Sequence, residues 1–224
     1  EHAVHLRRVF KRLREIGIYI QSSKAFYAQK EVEFLGHLVN ADGVKMQDDK
    51  TSTVKEWPTP ENVSHIRQFL GLSGYYRKFI KGYAQIAKPM SDLTKKTTAE
   101  FEWTPEAEKA FGQLKELMTS APVLAIPDTA RGKFHLNTDA CDFGIGATLS
   151  QEGEDGKLHP CAFASRVLKP SEVRAYQKTK CVYVLELEAL MYALEKWRFY
   201  LEGQIETRVQ TDHKSLIWLR TQPE

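Results

Sequence analysis

Hydrophobic residues recur at helical intervals over much of the first half of the chain. This spacing predicts helices over 3–16, 48–55, 63–72, 90–93 and 106–119. Asn62 and Thr104 are typical N-caps for two of them. Gly71 and Gly74 predict a tight turn after residue 72, followed by a second short helix. The first half is therefore expected to be mostly helical.

Alternating apolar and polar residues predict strands elsewhere. Two short strands are expected at 18–20 and 33–39, and four more near 133–139, 144–151, 158–165 and 206–211. A long apolar-periodic segment at about 180–201 predicts a helix before the last strand. Three strands in hairpin succession, then a helix and a further strand, predict a mixed sheet with helices packed on it. The expected fold class is α+β, a mostly helical region followed by an α/β region.

Ala121 to Lys133 is the best candidate for a linker, because Pro122, Pro127 and Gly132 interrupt it. A chain of 224 residues is long enough for two domains. We therefore expect a domain boundary near Asp128.

Three carboxylates occupy positions that suggest a common site. Asp139 and Asp212 each end a predicted short strand, where side chains can converge on a cleft. Glu186 shares the predicted inward face of the long helix with Ala189, Leu190, Ala193, Leu194 and Trp197. Glu188 is turned away from that face. A carboxylate on a buried face is costly, and divalent cations would neutralise it. Alternatively, the aspartates are turn residues and Glu186 is an acid favoured by the helix dipole.

Basic residues accompany aromatic residues after the first capped helix. Arg67, Arg77, Lys78 and Lys81 line its polar side, and Tyr75 and Tyr76 interleave with them. Such a surface can hold a nucleic-acid backbone. The alternative is an aromatic core with solvated charges, and the same choice applies to the basic amphipathic helix at 3–16.

Composition narrows the function classes only a little. The 32 Lys and Arg against 29 Asp and Glu give a net charge of +3, which is compatible with nucleic acid but no proof of it. Cys141, Cys161 and Cys181 show no metal-type pairing and are expected to be reduced thiols. No apolar run approaches the ~20 residues that a membrane span needs. The start is charged rather than a signal peptide and lacks Met, so we expect an intracellular fragment.

Several motifs together resemble one family. The segments TDACDFGIGATLSQ, AFASRVL, LEALMYALEKWRFYLEG and TDHKSL look like the ribonuclease H domain of the Pol polyprotein of gypsy-type long-terminal-repeat retrotransposons. FLGHLVNADGV, IRQFLGLSGYYRKFI, FEWTPEAEKAF and LMTSAPVLAIPD are similar to the reverse transcriptase of the same polyprotein, in the same order. The resemblance covers essentially the whole chain.

The resemblance implies a division into three parts. Residues 1–47 would be the end of the reverse-transcriptase palm, 48–127 a helical thumb or connection region, and 128–224 an RNase H-like domain that is incomplete at its C-terminus. The hairpin FLGHLV would be the primer grip, so Phe34, Leu35, Gly36 and His37 would lie near the primer terminus. Arg77, Lys78, His213 and Lys214 would contact the nucleic-acid backbone, although His213 and Lys214 are also ordinary residues for the start of a helix.

The implied activity is hydrolysis of the RNA strand of an RNA:DNA hybrid during reverse transcription. Asp139, Glu186 and Asp212 would ligate two Mg²⁺ ions, or Mn²⁺ in their place. The partners would be the hybrid, a primer-template and the rest of the Pol polyprotein, namely protease, palm and fingers, and integrase, with no membrane. The location would be cytoplasmic, in virus-like particles for an active element.

Departures from the family leave alternatives open. The polymerase YxDD-type motif does not occur in the chain, and the family's fourth aspartate lies beyond Glu224. The unusual CVYV segment also leaves Glu188 as an alternative to Glu186. The chain is therefore an RNase H-bearing segment, an inactive remnant that only binds nucleic acid, or a protein-interaction scaffold.

Overall fold

The computed structural model describes residues 1–95, 101–179 and 181–211. It confirms the α+β class with a mixed sheet. The helices are α1 His2–Glu15, α2 Asp48–Lys55, α3 Val63–Tyr75, α4 Tyr83–Leu93, α5 Pro105–Thr119, α6 Pro170–Thr179, α7 Val182–Lys196 and α8 Arg198–Leu201. The strands are β1 Glu31–Phe34, β2 His37–Asn40, β3 Gly43–Met46, β4 Phe134–Cys141, β5 Gly144–Glu152, β6 Leu158–Val167 and β7 Thr207–Gln210.

The run of elements from β1 to α5, called the first part below, combines a small antiparallel sheet in the order β1-β2-β3 with helices α2 to α5. The strand predicted at 33–39 is wrong, because Leu35 and Gly36 take positive φ angles and turn the chain between β1 and β2. No strand forms at 18–20. The core of this part is built mainly from α3, α4 and α5, and its largest fully buried side chains include Phe69, Tyr76 and Phe79.

Helix α3 is longer than the glycine pattern suggests. It begins at its predicted cap, where the Asn62 side chain accepts a hydrogen bond from the His65 amide at 2.9 Å. It continues through the predicted turn to Tyr75. Ser73 is buried there and pairs with the Tyr83 hydroxyl of α4 at 2.9 Å. Packing against α4 thus outweighs the low helix propensity of glycine.

The run of elements from β4 to β7, called the second part below, contains a four-stranded sheet in the order β6-β5-β4-β7. β4, β5 and β6 are antiparallel neighbours, and β7 runs parallel to β4. Helix α7 crosses from β6 to β7 and packs against β4 and β5, as the sequence predicts. Helix α6 was not predicted. This arrangement brings the C-terminal ends of the parallel strands β4 and β7 to the same end of the sheet, beside the first turns of α7.

The segment between α5 and β4 is attached to both sheets. Leu124 and Val44 exchange backbone hydrogen bonds of 2.8 Å, and the Ala125 amide donates to the Pro160 carbonyl of β6 at 2.8 Å. The division into three parts and the boundary near Asp128 stay predictions. In the parts of the chain that the structure describes, no helix is long and apolar enough to cross a membrane.

Candidate functional site

Glu186 is a buried carboxylate beside the C-terminal end of β4. It lies on the inward face of α7 with Leu185, Ala189 and Ala193, and only 1% of its surface is exposed. Its Oε1 accepts a hydrogen bond from the Ala140 amide at 3.2 Å. Its Oε2 accepts one from the Thr211 hydroxyl at 3.3 Å. The carboxylate therefore contacts the residue after Asp139 and the residue before Asp212.

Asp139 lies on β4, opposite Gly146 of β5. Its neighbours Thr138 and Ala140 face α7, so the alternation of the strand turns Asp139 to the other face. There it is exposed and lines a cavity of about 270 Å³ at the N-terminal end of α4. Asp139 is thus open to solvent one residue from the amide that contacts Glu186.

The third predicted carboxylate, Asp212, lies outside the described residues, as do His213 and Lys214. Within residues 1–95, 101–179 and 181–211, no group of three potential ligands forms a metal cluster. The donor chemistry nevertheless fits a hard divalent cation, which prefers carboxylate oxygens. The Ala140 amide and the Thr211 hydroxyl orient the Glu186 carboxylate.

Glu188 occupies a different environment from Glu186. Its side chain is 44% exposed, and Oε2 lies 3.6 Å from Arg166 of β6. Arg166 in turn makes two hydrogen bonds to Glu172 of α6, at 2.7 and 2.9 Å.

Leu194 was predicted on the inward face of α7 but is exposed, because the buried row runs through 185, 189 and 193.

The predicted primer-grip residues form the tip of the β1–β2 hairpin. Phe34 and Leu35 are 63% and 71% exposed. Gly36 follows Leu35 in the turn, and a Cβ at Gly36 would lie 2.8 Å from the Tyr76 hydroxyl. His37 is buried beneath the turn, where its Nδ1 lies 2.8 Å from the Leu35 carbonyl.

Two tyrosines at the end of α3 attach this tip to the helical part. The Tyr75 hydroxyl donates to the Leu35 carbonyl, and the Tyr76 hydroxyl donates to the Gly36 carbonyl at 2.9 Å. Tyr76 is fully buried, and burial raises the pKa of its hydroxyl. It therefore holds the hairpin and is not a surface for stacking bases, whereas Tyr75 stays half exposed.

Arg77 and Lys78 follow directly in a 3₁₀ turn. Arg77 is exposed, while Lys78 is partly buried and its Nζ lies 5.2 Å from the centre of the Phe79 ring. Burial lowers the pKa of Lys78. Both line a groove of about 520 Å³ that extends to Tyr192 and Lys196 of α7. The structure thus brings Lys78 to the hairpin tip and Arg77 toward the second part of the chain.

Sequence reasoning missed the neighbours that α4 contributes to Asp139. Lys81, Gly82 and Gln85 line the same 270 Å³ cavity. A Cβ at Gly144 would lie 3.2 Å from Gln85 Nε2 and 3.1 Å from the Arg166 carbonyl. Two glycines two residues apart in β5, Gly144 and Gly146, signalled that something approaches closely, but not that it is a helix from the first part.

Comparisons with known proteins agree with this architecture. Residues 103–209 match the family model described as an RNase H-like domain found in reverse transcriptase. The chain is 39% identical over 224 residues to the retrovirus-related Pol polyprotein from transposon 297 of Drosophila melanogaster, covering 100% of this chain and 20% of that protein. It is 33% identical over 218 residues to the transposon Tf2-3 polyprotein of Schizosaccharomyces pombe, covering 97% of this chain and 16% of that protein.

Solved structures show the same fold. A foamy viral protease-reverse transcriptase dRH in complex with double-stranded DNA aligns with a TM-score of 0.78 and 22% identity, over 99% of this chain and 38% of that one. The foamy viral protease-reverse transcriptase in complex with an RNA/DNA hybrid aligns with a TM-score of 0.75 and 23% identity, over 99% and 29%. The chain spans about a fifth of the length of the curated relatives it matches, which are Pol polyproteins of transposons, and its residues 103–209 belong to the RNase H-like domains found in reverse transcriptase.

Proposed function

We propose that this chain is the RNase H-bearing segment of a retrotransposon reverse transcriptase, of the gypsy type, and that it hydrolyses the RNA strand of RNA:DNA hybrids. The observation that carries the proposal is the placement of Glu186. Its carboxylate is buried at the sheet edge and contacts both Ala140 and Thr211, the neighbours of Asp139 and Asp212. Glu186 thereby joins the strand that carries Asp139 to the residue that precedes Asp212 in the sequence.

Asp139, Glu186 and Asp212 would hold two Mg²⁺ ions, or Mn²⁺, which when bound would activate a water and stabilise the leaving oxygen. The chain's own residues supply the positions. Glu186 is fixed by the Ala140 amide and the Thr211 hydroxyl, so its oxygens keep one orientation. Asp139 is exposed on the other face of β4, where it lines a cavity whose lining does not include Glu186. Joint binding of the ions therefore requires the Asp139 side chain to turn toward Glu186. Glu186 is preferred over Glu188 because Glu188 is directed to Arg166.

The hairpin tip and the basic turn after α3 would bind the nucleic acid. Phe34 and Leu35 are exposed apolar residues on a turn held by two tyrosine hydroxyls, a suitable support for a primer terminus. Arg77 and Lys78 would contact phosphates, as positive charges beside a groove do. The rest of the Pol polyprotein would supply the polymerase centre, and the natural setting would be cytoplasmic virus-like particles.

The test is cleavage of a labelled RNA:DNA hybrid by the 224-residue chain with Mg²⁺. We expect Asp139→Asn to lower the cleavage rate by at least about 100-fold, because losing even an indirect partner of a metal costs 10- to 100-fold. Asp42→Asn is the matched control, since Asp42 is exposed at the turn between β2 and β3. Equal cleavage by Asp139→Asn and the wild type would contradict the proposed site.

Binding of the same hybrid separates the remaining alternatives. Binding without cleavage by the wild type would support the inactive remnant that only binds nucleic acid. The absence of both binding and cleavage would leave the interaction scaffold. Steep weakening of binding with salt is expected for phosphate contacts, because each contact releases counterions.

A further inference from the structure

The cavity beside Asp139 is built from both parts of the chain. Its volume is about 270 Å³. One wall belongs to β4 and β5, and the other to the start of α4. The lining residues are Lys81, Gly82, Gln85, Ile86, Asn137, Asp139, Cys141, Gly146, Ala147 and Thr148. Its lining includes one cation, Lys81, and one carboxylate, Asp139.

The two charges face the same space without neutralising each other. Lys81 and Asp139 both line the cavity, yet within the described residues Lys81 forms no ion pair with any carboxylate. Lys88 and Lys95, the neighbouring lysines, both pair with Asp92, at 2.6 and 2.7 Å. Among the residues that the structure describes, Lys81 is therefore a cation at the cavity rim that pairs with no carboxylate.

Packing fixes the backbone at the start of α4 relative to the face that carries Asp139. Gln85 lies one turn after Lys81 and is in contact range of Gly144 only because Gly144 has no side chain. The Ala84 amide, at the start of α4, donates to the Ser165 hydroxyl of β6 at 2.9 Å. The beginning of α4 is thus attached to β5 and β6, and Lys81 cannot move far from the face that carries Asp139.

We propose that Lys81 binds a backbone phosphate of the RNA:DNA hybrid next to Asp139, so that the nuclease pocket is completed by a residue outside the RNase H-like sheet. This inference rests on the proposed function. The Lys81 ammonium group suits a phosphodiester anion, whereas the Asp139 carboxylate on the facing wall suits a cation. A neutral ligand would leave the Lys81 charge unbalanced.

The inference concerns binding, so it is tested without cleavage. Affinity of a fluorescent RNA:DNA hybrid for the full chain is measured in EDTA over a series of salt concentrations. We expect Lys81→Gln to reduce the slope of log K against log[salt] by about 0.9, the contribution of one phosphate contact. Lys81→Arg keeps the charge and should keep the slope.

Lys109→Gln is the matched control, because Lys109 is exposed on α5 and lines none of the cavities described above. Its slope should equal that of the wild type. A slope for Lys81→Gln equal to those of the wild type and Lys109→Gln would overturn the inference while leaving the proposed function intact. A wild-type chain that neither binds nor cleaves the hybrid would overturn both.

Discussion

The turn between β1 and β2 contains a residue in a strained backbone conformation, which neighbouring side chains stabilise. Leu35 has a φ of 47°, a conformation that costs an L-residue roughly 1–2 kcal/mol. Hydrogen bonds from the Tyr75 and Tyr76 hydroxyls to the Leu35 and Gly36 carbonyls hold the turn from outside. His37 supports it from beneath. The exposed Phe34–Leu35 tip is therefore a rigid feature, and its shape depends on buried neighbours.

Because His37 is buried, its stability contribution depends on pH. Desolvation lowers the pKa of His37 below its usual value of 6.5, and the nearby Lys78 charge lowers it further. The folded state thus binds the proton less readily than the unfolded state. Its contribution is complete above pH 6.5 and is lost as the pH falls through the lower folded pKa. We expect the Tm to fall over that range.

His37→Gln should remove this part of the pH dependence, because glutamine does not titrate. The measurement is the Tm as a function of pH for the wild type and the variant. His5→Gln, at an exposed position of α1, should follow the wild-type curve. A His37→Gln curve parallel to that of the wild type would show that another group is responsible.

At the scale of elements, Arg166 joins three of them. It projects from β6, makes two hydrogen bonds to Glu172 of α6, and lies 3.6 Å from Glu188 and 5.4 Å from the Tyr192 ring, both on α7. The hydrogen bonds to Arg166 lower the pKa of Glu172. This network sets how α7 lies on the sheet, and Glu186 reaches the Ala140 amide from that position.

Arg166→Met should therefore be destabilising. It leaves the Glu172 carboxylate, whose side chain is only 12% exposed, without its main partner. We expect a loss of about 2–4 kcal/mol in the free energy of unfolding, as for breaking a mostly buried ion pair. Urea unfolding measures it. Arg198→Met, which breaks the exposed pair with Glu202, should change stability little. Similar losses in both variants would contradict the network's role.

Elements with strong local signals could be predicted from sequence, and those that depend on distant contacts could not. Asn62, Thr104 and the inward row of α7 gave correct helix starts and the burial of Glu186. The end of α3 was missed because Ser73 pairs with Tyr83, ten residues later. The alternation of residues missed the Leu35 turn, which only the resemblance implied through the hairpin FLGHLV. Leucine carries no local signal for a positive φ, and the hydroxyls that hold the turn come from Tyr75 and Tyr76.

The candidate site divides in the same way. Spacing was enough to place Asp139 on a strand and Glu186 on the inward face of α7, whereas their shared site stays a prediction because the alternation of β4 turns Asp139 to the other face. Lys81 was visible only as one of several basic residues. Its position beside Asp139 depends on how α4 packs against Gly144, a contact between positions about sixty residues apart that periodicity does not encode.

For the whole molecule, the core of the first part contacts the larger of the two hydrophobic clusters of the second part. Phe163 of β6 packs against the core of the first part, while its neighbours Ala162 and Ala164 pack in the core of the sheet. Leu124 is buried in the first core, and the adjacent Ala125 packs against the second. Adjacent residues of one strand and of one extended segment thus belong to different cores.

We expect both cores to unfold in one transition. Trp57 and Trp103 pack against the first core, and Trp197 belongs to the second. One variant retains Trp57 and Trp103 and reports on the first core. The other retains only Trp197 and reports on the second core. Trp218 is replaced by Phe in both. Urea midpoints that coincide would confirm coupling. Separate midpoints would show that the cores are independent.

The attachment of Leu124 and Ala125 to two strands also protects the chain from self-association. β3 and β6 are edge strands of their sheets, and an uncovered edge invites strands from other molecules. One extended segment occupies backbone groups of both edges. The opposite edge of the small sheet is β1, whose four residues are all exposed. Glu31 and Glu33 place negative charges along that edge, where a second copy of the strand would meet repulsion rather than a partner.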